Sequence, residues 1–270
     1  MLSLAELQTF DDLLVELNTA AAEVILPIFR ADLGIENKKA GSGDYDPVTL
    51  ADKGAEAAIR KLVAARYPAH GFIGEEYGED RPDAEYVWVL DPIDGTRAFV
   101  AGLPVWTTLI GLRHEGKPVL GSIGQSFIGE LFIGHAGGSR LQTQAGSRPL
   151  KARSGVALTD AIIATTDPDG YYRAEEIPAW RGLRAAARIA RLGCDAYAYA
   201  MVAAGQIDLV VETSLKCWDI DAAIPVLAGA GAVTSDWSGQ PIGDAGGQVA
   251  LAGSRTLLDE AVMILKMAAR

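Results

Sequence analysis

The chain has 270 residues, 49% of them hydrophobic and 22% charged, enough for one large domain or two closely packed halves. A formal net charge of −11 argues against non-specific binding to nucleic acid or to acidic membrane surfaces. No apolar run reaches the length of a membrane span, and no basic segment leads into the apolar core and small-residue cleavage site of a signal peptide. The two cysteines, Cys194 and Cys217, are too few for a disulfide framework and fit a reducing cytoplasm.

Leu4 to Phe29 carries apolar residues at helical spacing and is expected to form a long amphipathic helix. A polar, glycine-bearing loop from Ala31 to Asp46 follows and holds Lys38 and Lys39. Thr49 to Arg66 reads as a second helix, ended by Tyr67-Pro68. Gly71 to Gly74 is a short strand leading into Glu75-Glu76, and Tyr86 to Leu90, mostly apolar or aromatic, is a buried strand. Thr107 to Leu112, Pro118 to Ile123 and Glu130 to Ile133 continue as strands with glycine-bearing turns. Residues 1–145 thus combine two helices with a largely antiparallel sheet.

Residues 146–270 alternate differently. Ala161 to Thr165 is a strand, Trp180 to Ala187 a helix, and Ala196 to Ala204 another helix stopped by Gly205. Ile207 to Val211 is a strand, Ile220 to Ala228 a helix, and Leu257 to Ala268 a terminal helix. That alternation predicts layered α/β packing, with the two portions in one compact unit.

The densest chemistry lies in Trp88-Val89-Leu90-Asp91-Pro92-Ile93-Asp94-Gly95-Thr96. Asp91 falls where the strand is expected to end, the edge at which open α/β sheets place their ligands. Gly95 and Thr96 follow at the start of a turn, where backbone N–H groups can be aimed at an anion. Carboxylates beside an anion site make electrostatic sense with a cation between them, and hard oxygen ligands next to phosphate point to magnesium. Three other segments add Asp52, Glu75 and Asp219. Taken singly, Asp94 and Asp219 also fit helix N-caps and Glu75-Glu76 a solvated loop. Taken jointly, Asp91 and Asp219 both follow apolar segments that approach the core, where acids without a cation are costly or protonated. His70, His114 and His135 lie in none of these motifs and read as surface or structural residues.

Gly74-Glu75-Glu76, Asp91-Pro92-Ile93-Asp94-Gly95-Thr96 and Trp218-Asp219-Ile220-Asp221-Ala222-Ala223 resemble, in order and separation, the magnesium-dependent inositol monophosphatase superfamily. The resemblance implies an α/β fold of the αβαβα sandwich type, two or three Mg2+ per subunit, a small-molecule phosphate monoester as substrate and a homodimer. Carried over by motif, Glu75, Asp91 and the Ile93 carbonyl would bind one metal, Asp91, Asp94 and Asp219 a second, and Glu75 a third. Gly95 and Thr96 N–H groups would hold the phosphate. Asp52, Glu75 and the Thr96 hydroxyl would form the catalytic set that orients or deprotonates the attacking water. A divalent cation lowers the pKa of bound water and neutralises phosphate charge, so no covalent nucleophile is required.

The segments Asp94 to Ile110 and Arg191-Leu192-Gly193-Cys194-Asp195-Ala196-Tyr197-Ala198-Tyr199, continuing to Glu212, resemble the histidinol-phosphate phosphatase branch. Cys217-Trp218 before Asp219 is instead inositol-like. Histidinol phosphate carries an ammonium group and an imidazole, whereas inositol phosphate offers only hydroxyls. Asp195 and Glu212 are expected to give the leaving-group pocket negative charge, Glu212 from a strand end, and Asp195 also fits a helix N-cap before Ala196-Tyr197. Arg191 and Arg97 complete the expected substrate set, with Arg97 either on the phosphate or paired at the surface. An inositol or broad sugar-phosphate monoesterase is the alternative. No extra basic cluster would hold a second phosphate, and a non-catalytic binding protein is disfavoured because every expected metal ligand is present.

Overall fold

The computed structural model describes residues 3–31, 36–37, 47–48 and 50–270. Lys38, Lys39 and Thr49 lie outside the described residues. Helix α1 (Leu4–Ile25) opens on a capping box: the Ser3 hydroxyl accepts the Glu6 N–H at 3.3 Å, and the Glu6 carboxylate accepts the Ser3 N–H at 2.8 Å. It stops at Ile25 rather than Phe29, because Pro27 has no N–H to continue the ladder and residues 26–30 turn instead. The two-residue strands β1 (Glu36–Asn37) and β2 (Pro47–Val48) pair antiparallel ahead of α2 (Leu50–Arg66).

The first sheet comprises β3 (Gly71–Gly74), β4 (Gly78–Asp80), β5 (Tyr86–Asp94), β6 (Thr107–His114), β7 (Lys117–Gln125), β8 (Glu130–His135), β9 (Gly138–Thr143) and β10 (Gly146–Pro149), with the short helix α3 (Thr96–Val100) between β5 and β6. Its order is β10-β9-β8-β7-β6-β5-β3-β4, and only β3 and β5 run parallel. Strand pleating sends alternate residues to opposite faces. Trp88, Leu90, Ile110 and Leu112 meet Leu14, Leu17, Ile59 and Val63 of α1 and α2, while Leu109, Ile123 and Phe132 face the other way.

The second sheet has the order β12-β11-β13-β15-β14, built from β11 (Ile162–Thr165), β12 (Ile189–Leu192), β13 (Leu209–Leu215), β14 (Val233–Ser235) and β15 (Gly247–Ala252). Among its helices are α4 (Pro168–Tyr171), α5 (Ile177–Ala186), α6 (Tyr197–Ala203), α7 (Cys217–Ile220), α8 (Ala223–Gly229) and α9 (Arg255–Leu265). Tyr199 and Val202 of α6 and Val226 and Leu227 of α8 fill the space between the sheets, joining Leu109 and Phe132 to Val210 and Leu251. Trp180 and Leu183 of α5 and Leu257 and Leu258 of α9 cover the outer face. Helices, sheet, helices, sheet and helices form the expected αβαβα sandwich. No described helix is long and apolar enough to cross a membrane.

Several boundaries differ from expectation in ways that bear on function. Strand β5 runs on to Asp94 and bulges between Asp91 and Asp94, so Asp91 lies inside the strand. Strand β13 extends to Leu215, which puts Glu212 within it rather than at its end. The helix expected over 220–228 is two helices, with Asp219 inside α7. Strand β10 belongs to the first sheet, so the change of sheet follows Pro149.

Candidate metal and phosphate site

The turn bearing Glu75 is shaped from below by α2. Glu56 is fully buried, pairs with Arg60 at 2.8 Å, and accepts the Glu76 N–H at 2.9 Å and the Tyr77 N–H at 3.3 Å. Arg60 also donates to the Gly78 carbonyl. A Cβ at Gly74 would lie 2.1 Å from Glu56 Oε1, so glycine is what allows this approach. Glu75 itself donates its N–H to Leu90 O at 3.1 Å, which ties the turn to β5. Glu56 and Arg60 went unremarked in the sequence; their i, i+4 spacing on a helix was the available signal.

Where β5 bulges, Asp91 Oδ1 accepts the Ile93 N–H at 3.1 Å and the Thr108 hydroxyl donates to Pro92 O at 2.8 Å. Gly95 then adopts φ 80° and ψ 40°, a left-handed conformation natural to glycine, and starts α3. Thr96 is the first residue of that helix, so its N–H has no intrahelical partner. Its hydroxyl donates to the Ile93 carbonyl at 3.2 Å. Arg97 pairs with Asp167 at 3.2 Å and stacks over the Tyr171 ring at 4.7 Å, at the cleft's edge.

The second sheet supplies the opposite wall. Asp219 Oδ2 accepts the Lys216 N–H at 2.6 Å, and Asp94 Oδ2 accepts the Ala196 N–H at 2.7 Å. Asp195 makes no side-chain cap to α6, which corrects the N-cap alternative; it sits at φ 46° against Gly95, where a Cβ would meet its carboxylate at 3.0 Å. Glu212 accepts hydroxyl hydrogen bonds from Thr166 at 2.9 Å and Thr165 at 3.1 Å.

These elements meet at one cleft of about 380 Å³, lined by Glu75, Asp91, Ile93, Asp94, Gly95, Thr96, Arg97, Asp195, Glu212 and Asp219. Thr166, Tyr171, Tyr199 and Lys216 also line it and were not singled out from sequence. Asp52 is buried in the first turn of α2, near enough for its charge to act on Asp91. Arg191 is exposed on the edge strand β12 and does not line the cleft, which corrects its expected place. His70 is structural: it accepts the Trp88 indole N–H at 3.1 Å and stacks on Tyr67 and Tyr86.

One carboxylate oxygen from each of Asp91, Asp94 and Asp219 lies within 4.8 Å of the others. Burial raises the pKa of Asp91 well above its ordinary value, and the charges of Glu75, Asp94 and Asp219 raise it further. Asp94 is raised likewise by burial and then by Asp195 and Asp219. Burial lifts Asp219 to about 7. A cation between these hard oxygens would offset both burial and repulsion, so the donor set fits a divalent metal. Farther along the cleft, burial raises Glu212 to about 8 against the pull of its two threonine hydroxyls, and Asp195 to about 6.

The inositol monophosphatase family pattern matches residues 6–266. A bifunctional phosphatase IMPL2, chloroplastic, from Arabidopsis thaliana is 40% identical over 88% of this chain and 67% of its own length. A histidinol-phosphatase from Chlorobaculum parvum is 33% identical over 84% of this chain and 86% of its own. The structure of an inositol monophosphatase from Zymomonas mobilis superposes with a TM-score of 0.85 at 37% identity, covering 96% of this chain and 98% of that one. That family is metal-dependent, and the acidic cluster described above provides a place for the metal. With sequence pattern, layered fold and acidic cleft in agreement, this chain belongs to the inositol monophosphatase family.

Proposed function

We propose that the protein is a magnesium-dependent phosphomonoesterase that hydrolyses L-histidinol phosphate to L-histidinol and inorganic phosphate in histidine synthesis, acting as a cytoplasmic homodimer. The observation that carries the substrate is a second acid pair: Asp195 packed against the Gly95 backbone, and Glu212 in the same cleft, both outside the three-carboxylate cluster. Two acids beyond those needed for metal suit a leaving group bearing an ammonium and an imidazole, because a cation relieves the cost of ionising them in a buried place. A relative named histidinol-phosphatase supports the same choice.

In this reading Glu75, Asp91, the Ile93 carbonyl, Asp94 and Asp219 hold two or three magnesium ions. Bound magnesium supplies Lewis acidity, acidifying water and neutralising phosphate charge. Gly95 and Thr96 present backbone N–H groups to the phosphate. Because the Thr96 hydroxyl spends its hydrogen on the Ile93 carbonyl, its lone pairs are left to accept a proton or orient a water. Glu75, in the same cleft, and Asp52, whose charge acts on Asp91, complete the catalytic set in this reading. Arg97, paired with Asp167 and stacked on Tyr171 in the cleft lining, is the cation this reading assigns to a phosphate oxygen.

The second reading is an inositol or broad sugar-phosphate monoesterase, favoured by Cys217-Trp218 ahead of Asp219 and by the Zymomonas mobilis structure. Asp195→Asn separates the two. Losing one buried charge partner costs about 1.5–3 kcal/mol, so kcat/KM for histidinol phosphate should fall roughly 10- to 150-fold, with little change for the neutral inositol 1-phosphate. Equal losses on both esters would overturn recognition by charge.

A further inference from the structure

Asp219 reaches the acidic cluster from the second sheet, while Asp91 and Asp94 stand on the first. Their separation therefore depends on how α7 is seated across the sheets. On one side of Asp219, Cys217 and Trp218 pack against Ile73, Val87 and Val89 of β3 and β5. On the other side, Asp221 forms a buried ion pair with Arg113 of β6, the two being 4% and 9% exposed. Arg113 Nη2 also donates to the Asp244 carbonyl at 2.9 Å, so its guanidinium is held at two fixed acceptors. The backbone beyond the pair comes so close that a Cβ on Gly121 would lie 2.1 Å from the Ala222 carbonyl, and one on Gly111 3.1 Å from the Ala222 nitrogen. Of the strands in contact, β3 leads into Glu75 and β5 carries Asp91 and Asp94, while β6 pairs directly with β5.

A buried ion pair adds little net stability over an apolar pair of similar volume, because desolvation offsets its attraction. What it supplies is direction, since a planar guanidinium satisfied at two acceptors tolerates one register. We propose that Arg113 and Asp221 are positioning residues for metal binding, fixing where Asp219 stands relative to Asp91 and Asp94. The proposal rests on the magnesium reading above.

The test measures the magnesium dissociation constant by calorimetry on chelator-treated, dialysed protein, together with the Tm of the same metal-free samples. The decisive variant is the double substitution Arg113→Met/Asp221→Leu, which removes both charges and leaves neither buried alone. The expected result is a metal-free Tm within about 3 °C of the parent, a stability change of roughly 1 kcal/mol. Magnesium affinity should meanwhile weaken about tenfold or more. Unchanged affinity at the parental Tm overturns the proposal, as does an affinity loss that merely tracks Tm across Asp221→Asn, Arg113→Met and the double variant. Should the double variant not fold, Arg113→Lys decides: it keeps the charge and loses the fork, so weakened affinity at the parental Tm supports the proposal and unchanged affinity refutes it. A parent protein that binds no magnesium refutes the metal reading itself, a result distinct from a parent that binds while its variants bind equally well.

Discussion

Stripping the metal and raising the pH should destabilise this protein, and the direction follows from the cleft. Asp195 titrates at about 6, Asp219 at about 7 and Glu212 at about 8, each lifted chiefly by burial. In the unfolded chain such carboxyls lose their protons near pH 4. Between that value and the folded pKa, the native state holds more protons than the unfolded state, so stability falls as pH rises from about 4 through 8, and the raised Asp91 and Asp94 act in the same direction. One carboxyl raised by three units is worth about 4 kcal/mol, and for a chain of this size that corresponds to roughly 8–16 °C in Tm. Thermal unfolding followed by circular dichroism, with chelator, at pH 5.5, 7.0 and 8.5 should show Tm falling across that range. With saturating magnesium the fall should shrink, because a cation among Asp91, Asp94 and Asp219 replaces the protons. A chelated protein whose Tm is flat or rises between pH 5.5 and 8.5 would refute the electrostatic account of the cluster.

Other outcomes follow from single side chains. Asp91→Asn should lower magnesium affinity and phosphate release together, each by about a hundredfold or more; full activity would overturn the ligand assignment. Gly74→Ala should push the Glu56 carboxylate off the Glu76 and Tyr77 N–H groups and cost about 2–3 kcal/mol in urea unfolding, whereas a neutral result would show that the turn can shift freely. Thr166→Val removes one hydrogen bond that favours ionised Glu212, so KM for histidinol phosphate at pH 7 should rise severalfold, about 1 kcal/mol, while inositol 1-phosphate is unaffected.

How much was legible in the sequence depended on how local the cause was. The hexapeptide from Asp91 to Thr96 carries its own instructions, since an apolar strand, a bulge and a left-handed glycine all lie within a few residues. Glu75 and Asp219 were found because each follows an apolar segment. The supports of those ligands were not, because their partners are distant in the chain: Glu56 acts on a turn 20 residues away, and Arg113 meets Asp221 across 108. Glu212 looked like a strand end because Thr213 and Ser214 are polar, yet β13 continues through them beside β15. Arg191 was misplaced for a related reason: β12 is a four-residue edge strand with little apolar pattern, and its exposed arginine is not among the residues that line the cleft.

Hydrolysis of a cationic phosphate monoester can be measured as phosphate release from histidinol phosphate and inositol 1-phosphate at equal low concentrations with magnesium. The expected result is a kcat/KM ratio above about a hundredfold in favour of histidinol phosphate, near 2.7 kcal/mol of transition-state discrimination. A flat ratio, or one favouring inositol 1-phosphate, would contradict it and leave Asp195 and Glu212 without the role assigned to them.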